Sequence, residues 1–177
     1  MTEYLLSPFG QIDLISLNEY YDAIIELDHK KIHIDINFGS TTIEKAEMDN
    51  IKNFIEGIDK FDKQNKGYIE KDFNNEKGTT VKEYIDFHME EFEKDKLAQL
   101  IDYDNKEIAA EKQLLNKLTL ERVGLYPDGK YDTKYFAVFD YTFEGNVFIE
   151  GKRTITDQII VVKTDNKGNL DHLAWES

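Results

Sequence analysis

The run Asp62-Lys63-Gln64-Asn65-Lys66-Gly67-Tyr68-Ile69-Glu70-Lys71-Asp72-Phe73 has the outline of an EF-hand calcium loop: aspartate first, glycine sixth, isoleucine eighth. Its ligand chemistry argues against that reading. The third position is Gln64 and the fifth is Lys66. The twelfth, which must supply a bidentate carboxylate, is Phe73. An ammonium where a ligand oxygen should sit repels the ion, so the segment reads as the turn that ends a helix. A second acidic stretch, Asp102-Tyr103-Asp104-Asn105-Lys106-Glu107, lacks the glycine that bends such a loop. It reads as a turn in which Asp and Asn bond local backbone donors. Neither stretch implies a metal, and no cofactor motif is present.

Two histidines stand in patterns that could do acid–base work. His33 and Asp35 lie two residues apart in an alternating segment, so they share one face of a strand. With Arg122 and Tyr126, which stand among the aromatics near the start of the C-terminal half, they form one candidate pocket: His33, Asp35, Arg122 and Tyr126. His88 instead falls in the apolar stripe of a helix between Tyr84 and Phe92, and reads as a half-buried histidine bonded to one acceptor. His29 and His172 have no evident partners. The sequence contains no Gly-x-Ser-x-Gly, no phosphate-binding Gly-x-x-x-x-Gly-Lys-Ser/Thr, no Gly-x-Gly-x-x-Gly and no His-Glu-x-x-His. No catalytic residue is assigned.

The other candidate is a surface. Glu83, Asp86, Glu90 and Glu93 line one side of a helical segment. Like charges at this spacing cost a helix about 0.2–0.5 kcal/mol per pair. Such a stripe is either a solvated face or a docking surface for a basic partner.

These residues need elements to position them. Tyr21 to Phe38 reads as a β-hairpin: Ile32, Ile34, Ile36 and Phe38 alternate with His33, Asp35 and Asn37, giving one dry face and one wet one, with the reversal at Asp28-His29-Lys30. The period then changes to 3.6. Ile43, Met48, Ile51, Phe54, Ile55, Ile58 and Phe61 share one helical stripe, capped by Thr41 or Thr42 and ending near Asn65-Lys66-Gly67. A second helix starts at Thr79 or Thr80, and shorter helical pieces follow around Leu97 to Ile101 and Ala109 to Leu115. Strands return from Leu118 to Tyr126, Tyr135 to Ile149, Arg153 to Thr164 and Asn169 to Trp175. They are joined at Pro127-Asp128-Gly129-Lys130, Glu150-Gly151-Lys152 and Asp165-Asn166-Lys167-Gly168. The expected architecture is α+β in one domain spanning 1–177, with an N-terminal β-hairpin, central amphipathic helices packed on one sheet face, and a C-terminal four-stranded antiparallel meander.

Composition narrows the classes. The 177 residues carry 36 acidic and 22 basic side chains, for a net charge of −14, and no cysteine. There can be no disulfide framework, thiolate metal site or cysteine nucleophile. The acidity argues against a nucleic-acid reader. No apolar run reaches the roughly 20 residues of a membrane span. The first residues lack the basic and apolar regions of a secretory signal, so the expectation is a cytoplasmic protein.

Phe9-Gly10-Gln11-Ile12-Asp13-Leu14, Glu19-Tyr20-Tyr21-Asp22, Leu114-Leu115-Asn116-Lys117-Leu118, Arg122-Val123-Gly124-Leu125-Tyr126-Pro127-Asp128 and Val161 to Asp171 together resemble the bacterial domain-of-unknown-function family numbered two thousand and four. The resemblance runs nearly end to end. Its most specific part is the Arg-Val-Gly-Leu-Tyr-Pro run, and the chain departs from the family in a longer Gly145–Thr156. The family brings no established activity and no site residues. The resemblance implies a bacterial, cytoplasmic, whole-chain domain.

Two functions fit these features. One is an acidic protein-binding module, such as an immunity-type inhibitor of a basic toxin domain, since complementary charge steers association. The alternative is a small-ligand-binding protein or enzyme with a non-standard site.

Overall fold

The computed structural model describes residues 2–77 and 79–177. A six-stranded mixed sheet organises the chain. Strands β3 (Tyr20–Leu27) and β4 (Lys30–Asn37) form the expected hairpin, turning through Asp28 and His29 at positive φ. After the helices come β5 (Leu118–Leu125), β6 (Ala137–Phe143), β9 (Ile159–Thr164) and β10 (Leu170–Glu176). The sheet order is β10-β9-β6-β5-β4-β3. Pairing is antiparallel throughout except between β4 and β5, which run parallel in the register His33↔Arg122 and Asp35↔Gly124. The N-terminal hairpin therefore joins the C-terminal strands in one sheet, and the helical segment serves as the long crossover that a parallel pair requires. A small antiparallel ribbon, β1 (Glu3–Leu6) with β2 (Gly10–Asp13), stands outside it and lends Leu6 and Ile12 to the core.

The expected long hairpin from Tyr135 to Thr164 is interrupted. β6 ends at Phe143, and a separate two-residue pair, β7 (Phe148–Ile149) and β8 (Lys152–Arg153), forms a finger before β9 begins at Ile159. The break is made by Asn146. Its carboxamide binds Thr142 Oγ1 at 2.6 Å and the Thr156 carbonyl at 2.7 Å and accepts from the Ile155 N–H at 2.9 Å, so the pinched loop cannot continue the ladder.

The first helical stripe is two helices, α1 (Lys45–Glu56) and α2 (Ile58–Phe73), with Gly57 between them. α1 starts later than Thr42. Glu44 is the N-cap, and its backbone N–H donates to the Glu47 carboxylate at 3.3 Å. α2 does not stop at Asn65-Lys66-Gly67 but runs through it, because Ile58, Phe61, Asp62, Asn65 and Ile69 form a buried row. A mid-helix Gly67 costs only about 1 kcal/mol. The calcium-loop outline is thus ordinary helix. α3 (Thr80–Glu91), the four-residue α4 (Lys94–Leu97) and α5 (Ala110–Leu115) complete the layer.

All the helices bury their apolar side against one face of the sheet, lined by Ile32, Ile34, Ile36, Val123, Leu125, Phe139, Tyr141, Phe143, Ile160 and Val162. Phe54 stacks on Phe61 at 4.5 Å and tilts against Phe136 at 5.0 Å, tying α1 and α2 to the sheet. No helix among the described residues is long and apolar enough to cross a membrane. Among the described residues the opposite face of the sheet carries no helix, and the candidate site lies there.

Candidate functional site

Alternation places His33, Asp35 and Asn37 of β4, Arg122, Gly124 and Tyr126 of the β5 segment, and Val138, Asp140 and Thr142 of β6 on the open face. The expected wet face is only partly wet. His33 is exposed, but Asp35 is 3% and Asn37 6% exposed. The reason is Arg122, reached through the parallel pairing. Its guanidinium grips Asp35 through two bonds (Nε–Oδ2 2.6 Å, Nη2–Oδ1 2.9 Å) and Asp140 through a third (Nη1–Oδ2 2.9 Å). Asn37 donates to Asp35 Oδ1 at 2.6 Å, and the Tyr126 hydroxyl accepts from Arg122 Nη2 at 3.4 Å.

This clamp answers an electrostatic problem posed by the hairpin. Asp22 and Asp35 stand directly opposite across β3 and β4, an unfavourable like-charge pair. A shared arginine offsets it. Burial works against the Arg122 charge, but Asp35 and Asp140 more than compensate and hold it firmly protonated. Burial pushes the Asp140 carboxyl above the usual aspartate range, with Arg122 pulling the other way. Gly124 makes room for the arm: a Cβ there would lie 2.5 Å from Arg122 Nη2. The Arg-x-Gly-x-Tyr spacing thus has a physical reason. Arginine folds back over glycine toward the acids, and tyrosine closes the end.

The structure therefore joins Asp35, Arg122 and Tyr126 but not His33. Among the described residues no hydrogen bond links His33 to any of them. His33 borders a cleft of about 470 Å³ with Thr119, Glu121 and Phe148. Tyr126 borders a different hollow, about 290 Å³, with Tyr135 and Asn166. With both acids committed to the guanidinium, the arrangement is a locked polar core.

Around this core the face is rich in tyrosine. Tyr126 packs edge-on to Tyr131 at 6.3 Å and to Tyr135 at 5.9 Å. Tyr131 is 72% exposed, and Tyr20, opposite Asn37, is 54% exposed. Ile24, opposite His33, is 53% exposed. Lys163 lies over the Tyr135 ring and pairs with Glu176 at 2.7 Å. At the far end the finger raises three consecutive exposed apolar side chains, Val147, Phe148 and Ile149. Across the paired strands this face sets Asp22, Glu26, Asp35, Asp140 and Glu176 against Lys31, Arg122 and Lys163.

The acidic stripe sits on the other side of the molecule, on α3. Glu83 and Glu90 are exposed, and Asp86 is engaged by Lys82 at 3.0 Å. Glu93 lies beyond the helix as the N-cap of α4, so the stripe is shorter than its spacing predicts. His88 is fully buried and bonds at both ring nitrogens, to the Tyr84 carbonyl at 2.7 Å and to Thr156 Oγ1 at 3.0 Å. Burial holds its pKa below the usual value. Among the described residues no group of three or more histidine, aspartate or glutamate side chains is placed to hold a metal ion.

Sequence reasoning missed Asp140 and the finger. Asp140 is one of 36 acids, and only the β5–β6 register singles it out. The chain matches no protein-family model, no curated protein and no solved structure.

Proposed function

We propose that this chain is a protein-binding module that recognises a basic partner through the open face of its sheet. The observation that carries the reading is the face itself. It is uncovered by helices, stiffened from below by the Arg122 clamp, and set with partly or largely exposed tyrosines. Tyrosine supplies large amphipathic contact area at low entropic cost, and is enriched at interfaces and among the residues that dominate their energy. A locked core beneath such side chains reduces the ordering cost of binding. The acidic excess of the face, within a chain of net charge −14, selects for a cationic partner.

An immunity-type inhibitor of a basic toxin domain, working in a bacterial cytoplasm, is the form of this function we favour. The resemblance to the family numbered two thousand and four supports a bacterial setting. The residues that carry it most specifically, Arg122 to Pro127, also build the clamp. In this account the N-terminal hairpin and the four-stranded meander β5-β6-β9-β10 are the two halves of the recognition face.

The test compares two variants. Tyr20→Ala with Tyr131→Ala trims the open face and leaves the Arg122 bonds to Asp35 and Asp140 in place. Glu83→Lys with Glu90→Lys reverses α3. The proposal expects the first pair to abolish capture of a basic protein and the second to leave it. Loss only with the α3 variant would move recognition to the acidic stripe.

A further inference from the structure

A cleft of about 320 Å³ opens between α2, α5 and the start of β4 and β5, away from the tyrosine-bearing end of the open face. Four lysines line it: Lys30, Lys66, Lys112 and Lys117. They arrive from three separate parts of the chain, the start of β4, the middle of α2 and the α5–β5 segment, so the fold has gathered them. In a protein with 36 acids and only 22 basic residues, such convergence runs against the composition. A concave wall with like charges focuses the field and raises the local concentration of an opposite ion.

Each ammonium is also held in place. Lys66 bonds the buried Asp62 at 2.7 Å, and Lys112 pairs with Glu70. Lys30 and Lys117 share the single carboxylate of Glu144, at 3.4 and 3.9 Å, and Lys30 also donates to Thr119 Oγ1 at 3.1 Å. The four ammoniums therefore face three carboxylates, Asp62, Glu70 and Glu144, the last divided between two lysines; of the three only Glu70 and Glu144 line the cleft. The hydroxyl of the lining residue Tyr141 donates to the same Asp62 at 2.9 Å, so this wall of the cleft is tied to the core.

The chemistry of the lining selects the ligand. Lysines are point-charge donors suited to phosphate oxygens, and the lining has no arginine fork for a planar carboxylate. Among the described residues its only aromatic side chain is Tyr141, fully buried with its hydroxyl already committed, which offers no platform for a stacked base. We propose that this cleft binds a compact phosphorylated anion carrying more than one negative charge. The site stands independently of the protein-binding face.

Titration calorimetry of the full chain with inorganic pyrophosphate at low salt tests this. The expected result is saturable one-to-one binding, weakened about ten-fold by Lys112→Gln and by Lys117→Gln, since each removes one charge-assisted contact. Glu144→Gln, which frees two lysines from a competing carboxylate, tightens binding. Lys152→Gln, on the finger, makes the same change in net charge as Lys117→Gln and leaves binding unaltered. Absence of saturable binding, equal weakening by Lys152→Gln, or citrate binding as tightly as pyrophosphate would each overturn the proposal.

Discussion

Replacing Arg122 by methionine keeps most of the side-chain volume and removes the charge that joins two buried carboxylates. Asp35 is 3% and Asp140 9% exposed, so neither can be rehydrated without opening the sheet face. Breaking a buried ion pair by removing one partner costs about 3–5 kcal/mol. The Arg122 side chain is 33% exposed, and solvent screening reduces that, which places the expected loss at about 2–3 kcal/mol. With a urea slope of about 2 kcal/mol per molar, the unfolding midpoint falls by about 1 M or slightly more. The deficit should depend on pH in a defined direction. Burial already raises Asp140 in the wild type, and losing Arg122 removes the opposing pull. The folded variant then holds a proton more tightly than the unfolded chain does, so protonation stabilises it. Its deficit shrinks as pH falls from about 7.5 to about 5. Urea unfolding of both proteins at these two pH values, followed by Trp175 fluorescence, measures this. A loss under about 1 kcal/mol, or the same loss at both pH values, would refute the clamp as the stabilising centre of the open face.

Three further outcomes follow from local geometry. Gly124→Ala pushes a Cβ to 2.5 Å from Arg122 Nη2 and should cost about 1–2 kcal/mol. In an Arg122→Met background that cost should largely vanish, and a thermal double-mutant cycle reads the coupling. Gly168→Ala combines a φ of +79° with a Cβ 2.3 Å from the Phe61 ring, and should lower stability by about 3 kcal/mol in urea unfolding. His88 is held below its usual pKa by burial, so the unfolded chain binds its proton more readily. Stability from His88 is present above about pH 6.5 and is lost as pH falls below it. His88→Gln should flatten that part of the stability–pH curve, and an imidazole resonance titrating above the usual range would contradict the assignment.

Elements with one clean period were legible in the sequence. The β3–β4 hairpin follows from uninterrupted alternation, with Ile32, Ile34 and Ile36 all buried as expected. The turn at Asp165 to Gly168 forms as its residues predict, with Gly168 N–H bonding the Asp165 carbonyl at 3.1 Å. The misread places are those where tertiary contacts override a local signal. α2 continues past Gly67 because the buried Asp62 and Asn65 occupy core positions that look polar in the sequence. Asp62 is tolerated there because Tyr141 and Lys66 bond it. The parallel β4–β5 pairing joins residues some 87 positions apart, as in the Asp35–Arg122 contact, and no local pattern encodes it. Asp35 reads in the sequence as a possible participant in acid–base chemistry, and Arg122 as a polar candidate whose plainer reading is a pairing with one of the many acids. The structure shows that pairing and names the acids, Asp35 and Asp140.

The central claim is that the open face binds a basic protein. Affinity capture of the tagged full chain from its native lysate at low and then high salt tests it most directly. Mass spectrometry identifies what is retained, in parallel with the Tyr20→Ala/Tyr131→Ala and Glu83→Lys/Glu90→Lys variants. The account predicts one stoichiometric basic protein held by the wild type and by the α3 variant, released by high salt and absent from the open-face variant. A retained protein indifferent to the two tyrosines, or no basic protein at all, would contradict it.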